Sequence, residues 1–153
     1  MDVDNDHFTL FLPEDWTGKK EDDPEQHIFH SVIRGAHLTI SSAIIDFGHK
    51  STDEIADKLL EVRHKAEIEL ASDRKVFLSN PWSTVFAADD VVQVNYFGYD
   101  SFDRYFFFTG FVEKFRIISI TGELIQGDHS SLEKFFQETL GSFRFKRFEM
   151  ENE

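Results

Sequence analysis

One stretch restricts the possible folds more than any other: Arg104-Tyr105-Phe106-Phe107-Phe108-Thr109-Gly110-Phe111-Val112. Successive side chains of a β-strand point to opposite faces, which puts Phe106 and Phe108 on one side and Tyr105, Phe107 and Phe111 on the other. A strand that is apolar on both faces has to be covered on both. The run therefore predicts a central strand with packing layers above and below it. Val91 to Tyr99 and Phe115 to Thr121 are strand-like neighbours at hairpin distance. Asp100-Ser101-Phe102-Asp103 and Glu113-Lys114 connect them, giving an antiparallel meander.

The rest of the chain supplies further strands and the covering helices. His7 to Leu12 reads as a short entry strand. Residues 26–34 and 37–47 read as a hairpin about Gly35-Ala36, a II′ turn in which Arg34 faces His37, Val32 faces Thr39 and His30 faces Ser41. Phe29, Ile33, Leu38 and Ile40 would then share the opposite face. Short strands at 75–79 and 82–89 are separated by Asn80-Pro81, where proline cannot donate to a ladder. Ser51-Thr52-Asp53-Glu54 is a capping-box pattern opening a helix whose apolar stripe is Ile55, Leu59, Val62 and Ala66. A second helix, over about 131–140, has the stripe Leu132, Phe135, Phe136 and Leu140, with Ser130-Ser131-Leu132-Glu133 as its start and Gly141 as its stop. Ser142 to Phe145 reads as a last strand. The expected architecture is α+β, a twisted antiparallel sheet of about six or seven strands with helices packed on it. It forms one domain over 1–153 with its core at about 7–146, and 1–6 and 149–153 as frayed acidic ends.

Charge and composition remove several function classes. The chain has 153 residues with 29 acids, 16 Lys and Arg, 18 Phe and no Cys, and a formal net charge of −13. Without cysteine there is no disulfide scaffold, thiolate metal site or thiol nucleophile. The negative balance opposes nucleic acid, whose affinity comes from Lys and Arg releasing counterions. It also opposes an anionic membrane surface. With no basic-then-apolar leader at Met1 to Asp6 and no long apolar run, the expectation is a cytoplasmic protein that inserts in no membrane. Nine of the acids lie in residues 1–26, several of them in the loop from Trp16 to Glu25, where Asp22 and Asp23 are candidates for a docking patch.

No phosphate-binding glycine loop, nucleophile elbow, HExxH or EF-hand pattern occurs. No catalytic, cofactor or metal residue is assigned. His27, His30, His37, Asp46 and His49 keep open an alternative, a small enzyme or a small-ligand or metal binder built on the 27–49 hairpin. His27 and His30 are three apart on a strand and so point to opposite faces. The Asp pairs Asp89-Asp90 and Asp100/Asp103 sit at strand ends, where aspartate serves turns. Tyr96, Phe97, Tyr99, Phe102, Tyr105, Phe106, Phe107 and Phe108 crowd into one meander. From them Tyr96, Tyr99, Phe102, Tyr105 and Phe107 are the candidates for an aromatic groove that accepts an apolar peptide or helix.

The order of these elements resembles the PsbP-like superfamily. The resemblance rests on Phe8-Thr9-Leu10-Phe11-Leu12-Pro13-Glu14-Asp15-Trp16, on Leu38-Thr39-Ile40-Ser41, on the Ser51-capped helix, on the aromatic meander and on Leu140-Gly141-Ser142-Phe143-Arg144-Phe145. It implies an α/β/α sandwich and a protein that binds proteins and does no chemistry. Within that superfamily the chain is similar to the bacterial cytoplasmic branch of DcrB-type proteins and effector-associated (Eag) chaperones of type VI secretion. That branch implies a non-enzymatic effector chaperone or toxin-neutralising immunity-type protein, monomeric or homodimeric. Its partner would be another protein, such as a secreted toxin or effector, bound by an apolar or basic segment.

Overall fold

The strand that is apolar on both sides lies inside a sheet and is covered above and below. The computed structural model describes residues 1–19, 23, 25–86 and 90–147. Among them the chain runs β1 (Asp2–Asp4), β2 (Phe8–Phe11), β3 (Thr17–Lys19), β4 (Gln26–Ser31), β5 (Ala36–Ile44), α1 (Thr52–Glu69), β6 (Val76–Leu78), β7 (Trp82–Phe86), β8 (Val91–Asp100), β9 (Tyr105–Val112), β10 (Arg116–Leu124), α2 (His129–Ser142) and β11 (Arg144–Phe145). Eight strands form one antiparallel sheet in the order β3-β4-β5-β10-β9-β8-β6, with β7 also paired to β8. A second sheet, β1-β2-β11, has three strands. The α+β class holds, with more strands than expected because β1 and β3 are too short and polar to carry an apolar alternation.

Both faces of β9 are buried as its alternation requires. Phe106, Phe108 and Val112 pack with Tyr96, Val94 and Ala56 beneath α1. Phe107 and Phe111 pack with Leu132, Phe135 and Phe143 beneath α2 and the small sheet. Two rings lie across glycines of the neighbouring strands. Gly122 stands opposite Phe107 and Gly98 opposite Phe106 in the ladders. A methyl group at Gly122 would sit 2.1 Å from the Phe107 ring. The sheet interior is thus filled to the point where a single carbon has no room.

Local chemistry sets the element ends, with some departures from expectation. The Glu54 amide donates to Ser51 Oγ at 3.2 Å and caps α1 as predicted. The helix is turned, however: Thr52, Ile55, Ala56, Leu59 and Leu60 face the sheet while Val62 is exposed. On the sheet side Arg63 lays its guanidinium over Phe108, 4.9 Å from the ring centre. A long basic side chain can cover apolar surface as a valine would, so charge pattern alone misplaced the stripe. Helix α2 keeps its predicted stripe but starts earlier. Asp128 is its N-cap, accepting from the Ser131 amide at 2.7 Å while Ser131 Oγ accepts from the Asp128 amide at 3.0 Å. Gly141 lies within the last turn instead of beyond it.

The hairpin register is shifted by four residues. His30 faces His37 and Phe29 faces Leu38, and Val32-Ile33-Arg34-Gly35 form the connection. Both registers put Phe29, Leu38 and Ile40 on one face, so alternation could not decide between them. The longer loop wins because Gly35 takes a φ of 60° and the Arg34 amide donates to Ser31 Oγ at 3.3 Å. Ile33, expected in the core, is consequently exposed. The N-terminal residues are not frayed either: β1 pairs with β2, and the Met1 ammonium donates to the Leu12 carbonyl at 2.7 Å. Residues 149–153 lie outside the described residues.

Two ionic links tie the layers together. Arg34 donates through Nε to Asp15 at 2.6 Å and through Nη1 to Glu138 of α2 at 3.3 Å. This fastens the β4–β5 tip to the helix. Its guanidinium, with the Ser31 hydroxyl, holds the Asp15 carboxyl down at about 2. The second link is Arg116, fully buried at the start of β10. It grips Glu113 side-on at 2.7 and 2.6 Å. It also donates to the carbonyls of His7 and Lys146, neighbours at one end of the small sheet.

Three consequences are measurable by chemical denaturation. Arg116→Leu leaves the part-buried Glu113 carboxylate without its partner and is expected to cost about 2–4 kcal/mol, with much of it recovered when Glu113→Leu is added; a loss under about 1 kcal/mol would show that the pair does not join the sheets. Gly122→Ala is expected to cost about 1–3 kcal/mol by overpacking against Phe107. The Asp15 carboxyl is depressed below its ordinary 3.8, so its contribution is present above that pH and is lost as pH falls toward 2. Asp15→Asn should flatten that acid slope, and an unchanged slope would remove the link from the account.

Candidate functional site

The aromatic residues singled out from the sequence do not form one groove. Tyr96 and Phe107 are wholly buried and lie on opposite faces of the sheet. Tyr96 donates its hydroxyl to Glu67 of α1 at 3.1 Å, and burial pushes the phenol well above its usual range. Alternation places the two on different sides, and crowding in sequence was mistaken for proximity in space. Tyr99 and Tyr105 do come together. They stack at 5.2 Å between ring centres, with Phe77 at 4.9 Å beyond Tyr99 and His129 edge-on to both tyrosines. Phe102 is exposed in the β8–β9 turn with Arg74 over its ring at 5.1 Å. Asp23 accepts from the Glu25 amide at 2.9 Å, a turn-forming bond, and Asp22 lies outside the described residues.

The histidine hairpin converges only in part. His30 and His37 are cross-strand partners with ring centres 6.3 Å apart. His27 is on the other face beside Phe8, within 3.3 Å of Asn5. Asp46 and His49 lie in the β5–α1 connection, where Asp46 accepts from the Gly48 amide at 2.9 Å. Among the described residues no three His, Asp or Glu side chains are grouped to hold a metal ion. Asp100 serves its turn, accepting from the Phe102 and Arg104 amides at 2.9 and 3.2 Å. Asp89 lies outside the described residues, and Asp90 stands at a φ of 52° just before β8.

A concavity lies elsewhere on the α2 side of the sheet, a groove of about 740 Å³ between β7–β8, the β9–β10 turn and the α2–β11 corner. Its apolar walls are Phe86, Phe111, Phe115, Phe143, Phe145 and Leu140. These come from five separate places in the chain, joined because β11 pairs with β2 and brings Phe143 and Phe145 over Phe111. A volume of this size is typical of ligand and peptide sites. The Phe143-Arg144-Phe145 alternation was the one signal in the sequence, since it marks a strand with two rings on one side.

Polar and charged side chains supply the other half of the lining. Lys114, Arg144 and Arg147 line the groove, against the acids Asp90 and Glu113. Glu113 is already neutralised by Arg116. Arg144 uses Nη1 to satisfy the last carbonyls of α2, Gly141 at 3.0 Å and Phe143 at 2.6 Å. The local sign is therefore positive on a chain whose net charge is −13. On the floor Gln93 donates inward to Asn95 Oδ1 at 3.0 Å, which also accepts from Thr109 at 2.9 Å. Asn95 Nδ2 is buried with no hydrogen-bond partner. An orphan amide behind a groove marks a floor that gives up stability for polarity. Among the described residues no helix is long and apolar enough to cross a membrane.

No family model and no curated protein matches the chain. Among solved structures, the solution structure of cyanobacterial PsbP (CyanoP) from Synechocystis sp. PCC 6803 aligns with a TM-score of 0.68 at 15% identity, covering 95% of this chain and 92% of that one. A crystal structure from Bacteroides thetaiotaomicron VPI-5482 aligns at a TM-score of 0.42 and 10% identity over 91% of this chain and 45% of its own. The likeness to CyanoP extends over nearly the whole of both chains, and this chain has the PsbP-like fold.

Proposed function

We propose that this chain is a non-enzymatic protein-binding module that receives an apolar segment of a partner protein in the phenylalanine-lined groove. The observation that carries the reading is the groove itself. Five phenylalanine rings and a leucine converge on an open concavity, an arrangement suited to shielding apolar side chains from water. Of the two expected kinds of ligand, an apolar or a basic segment, the walls favour the apolar one. An effector chaperone or a toxin-neutralising protein is the form this takes: both roles need a surface that holds a partner's exposed apolar element, and neither needs a catalytic group.

The test is site-specific crosslinking in the native cell. A photoreactive phenylalanine at position 86, on the groove wall, is expected to capture one partner at high yield. The same group at position 62, exposed on the far side of α1, should not. Phe115→Glu at the groove should reduce the capture at position 86 by about tenfold or more, the equivalent of one buried anchor. Equal capture at positions 62 and 86 would move the binding surface away from the groove. Recovery of no partner at either position would overturn the protein-binding reading.

A further inference from the structure

The groove runs into an unprotected sheet edge. β7, Trp82-Ser83-Thr84-Val85-Phe86, pairs with β8 along one side, has no partner strand on its other side among the described residues, and is exposed at every position. Natural edge strands usually carry a lysine, an inward charge or a proline to prevent further pairing. None of the five residues is of that kind. The opposite edge of the sheet, β3, is only Thr17-Gly18-Lys19 and ends on a lysine. The long bare edge is thus on the groove side.

Register connects edge and groove. Thr84 faces Gln93, and Gln93 faces Phe111, so Thr84 and, by alternation, Trp82 and Phe86 share the α2 face with the groove floor. Trp82 stands edge-on to Phe97 and Phe136, and Phe86 is itself a groove wall. A strand added beside β7 would send alternate side chains to that face, one of them into the groove next to Phe86. Lys114 and Arg144 line the same cavity, whose acids are Asp90 and the Arg116-paired Glu113, so a carboxylate of the added strand that reaches the rim meets cations there.

Resting on the binding reading above, we propose that the partner segment enters as an extended strand added to β7, with an apolar residue in the groove and a carboxylate at the Lys114–Arg144 rim. Backbone hydrogen bonds to β7 supply affinity that is independent of sequence, and the groove and rim choose the sequence. The segment is therefore acidic and alternating, in contrast to a basic or helical one.

The probe is a random dodecapeptide library displayed on phage and panned against the purified full chain. Enriched peptides are expected to alternate apolar and polar residues with a recurrent Asp or Glu, and to lose about tenfold in affinity against Lys114→Glu. The decisive measurement uses one enriched peptide made in two N-methylated series, with methyl groups on odd or on even amides. An added strand pairs through one edge only, so one series should lose at least about tenfold in affinity while the other binds as the parent does. Equal affinity in both series, or equal loss in both, would overturn strand addition. In the first case binding that still fails on Phe115→Glu would leave the groove reading intact. Enrichment of basic or amphipathic helical peptides would also overturn the proposal, and no enrichment at all would count against the groove as a peptide site.

Discussion

Everything in this fold follows from the requirement that β9 be dry on both faces. Its aromatic residues occupy both faces, interrupted on one only by Thr109, so a single layer of helices could not have satisfied it. The chain answers with α1 on one side and with α2 and a small sheet on the other. Burying several phenylalanines in one strand contributes on the order of 1.5–3 kcal/mol for each, more than any ionic link on the surface can. The glycines of β8 and β10 then become compulsory, because the rings of Phe106 and Phe107 spread across them. The demand of one strand thus fixes residues in its two neighbours.

The two cover layers are not equivalent. α1 lies over β8 and β9 as a single long helix, whereas the other face needs two pieces, and a corner remains where they meet. Arg116 reaches from β10 to the carbonyls of His7 and Lys146, at the end of the small sheet away from α2. Its partner Glu113 is a groove residue, so the same ion pair that joins the sheets also cancels the negative charge that would otherwise face the rim cations. Architecture and local electrostatics are set by one buried guanidinium.

Most of the architecture could be read from residue patterns, because the strongest signals were also the most buried. The two-faced burial of β9, the Ser51 cap and the stripe of α2 are each local consequences of side-chain alternation or periodicity. What escaped was set over longer range. Two hairpin registers gave Phe29, Leu38 and Ile40 the same face, and only the Gly35 turn and its Ser31 hydrogen bond separated them. Val62 lost its place on the sheet to Arg63, whose guanidinium lies over Phe108 and which a hydrophobicity pattern counts as polar. The candidate groove was least legible of all. Tyr96 and Phe107 are near in sequence and divided by the sheet, while Phe86, Phe115 and Phe145 are far apart in sequence and meet only after β11 has docked on β2.

That docking has a bearing on how the molecule is made. β2 and its partner β11 stand far apart along the chain, and Ser142 reaches the Phe11 carbonyl across a separation of 131 residues. Until β11 docks, Phe8 lacks the Phe143 ring that packs 5.4 Å from its own. Contacts of such separation are slow to close. Closing of the small sheet is therefore expected among the last steps of folding, after the β8–β9–β10 meander, whose contacts are local.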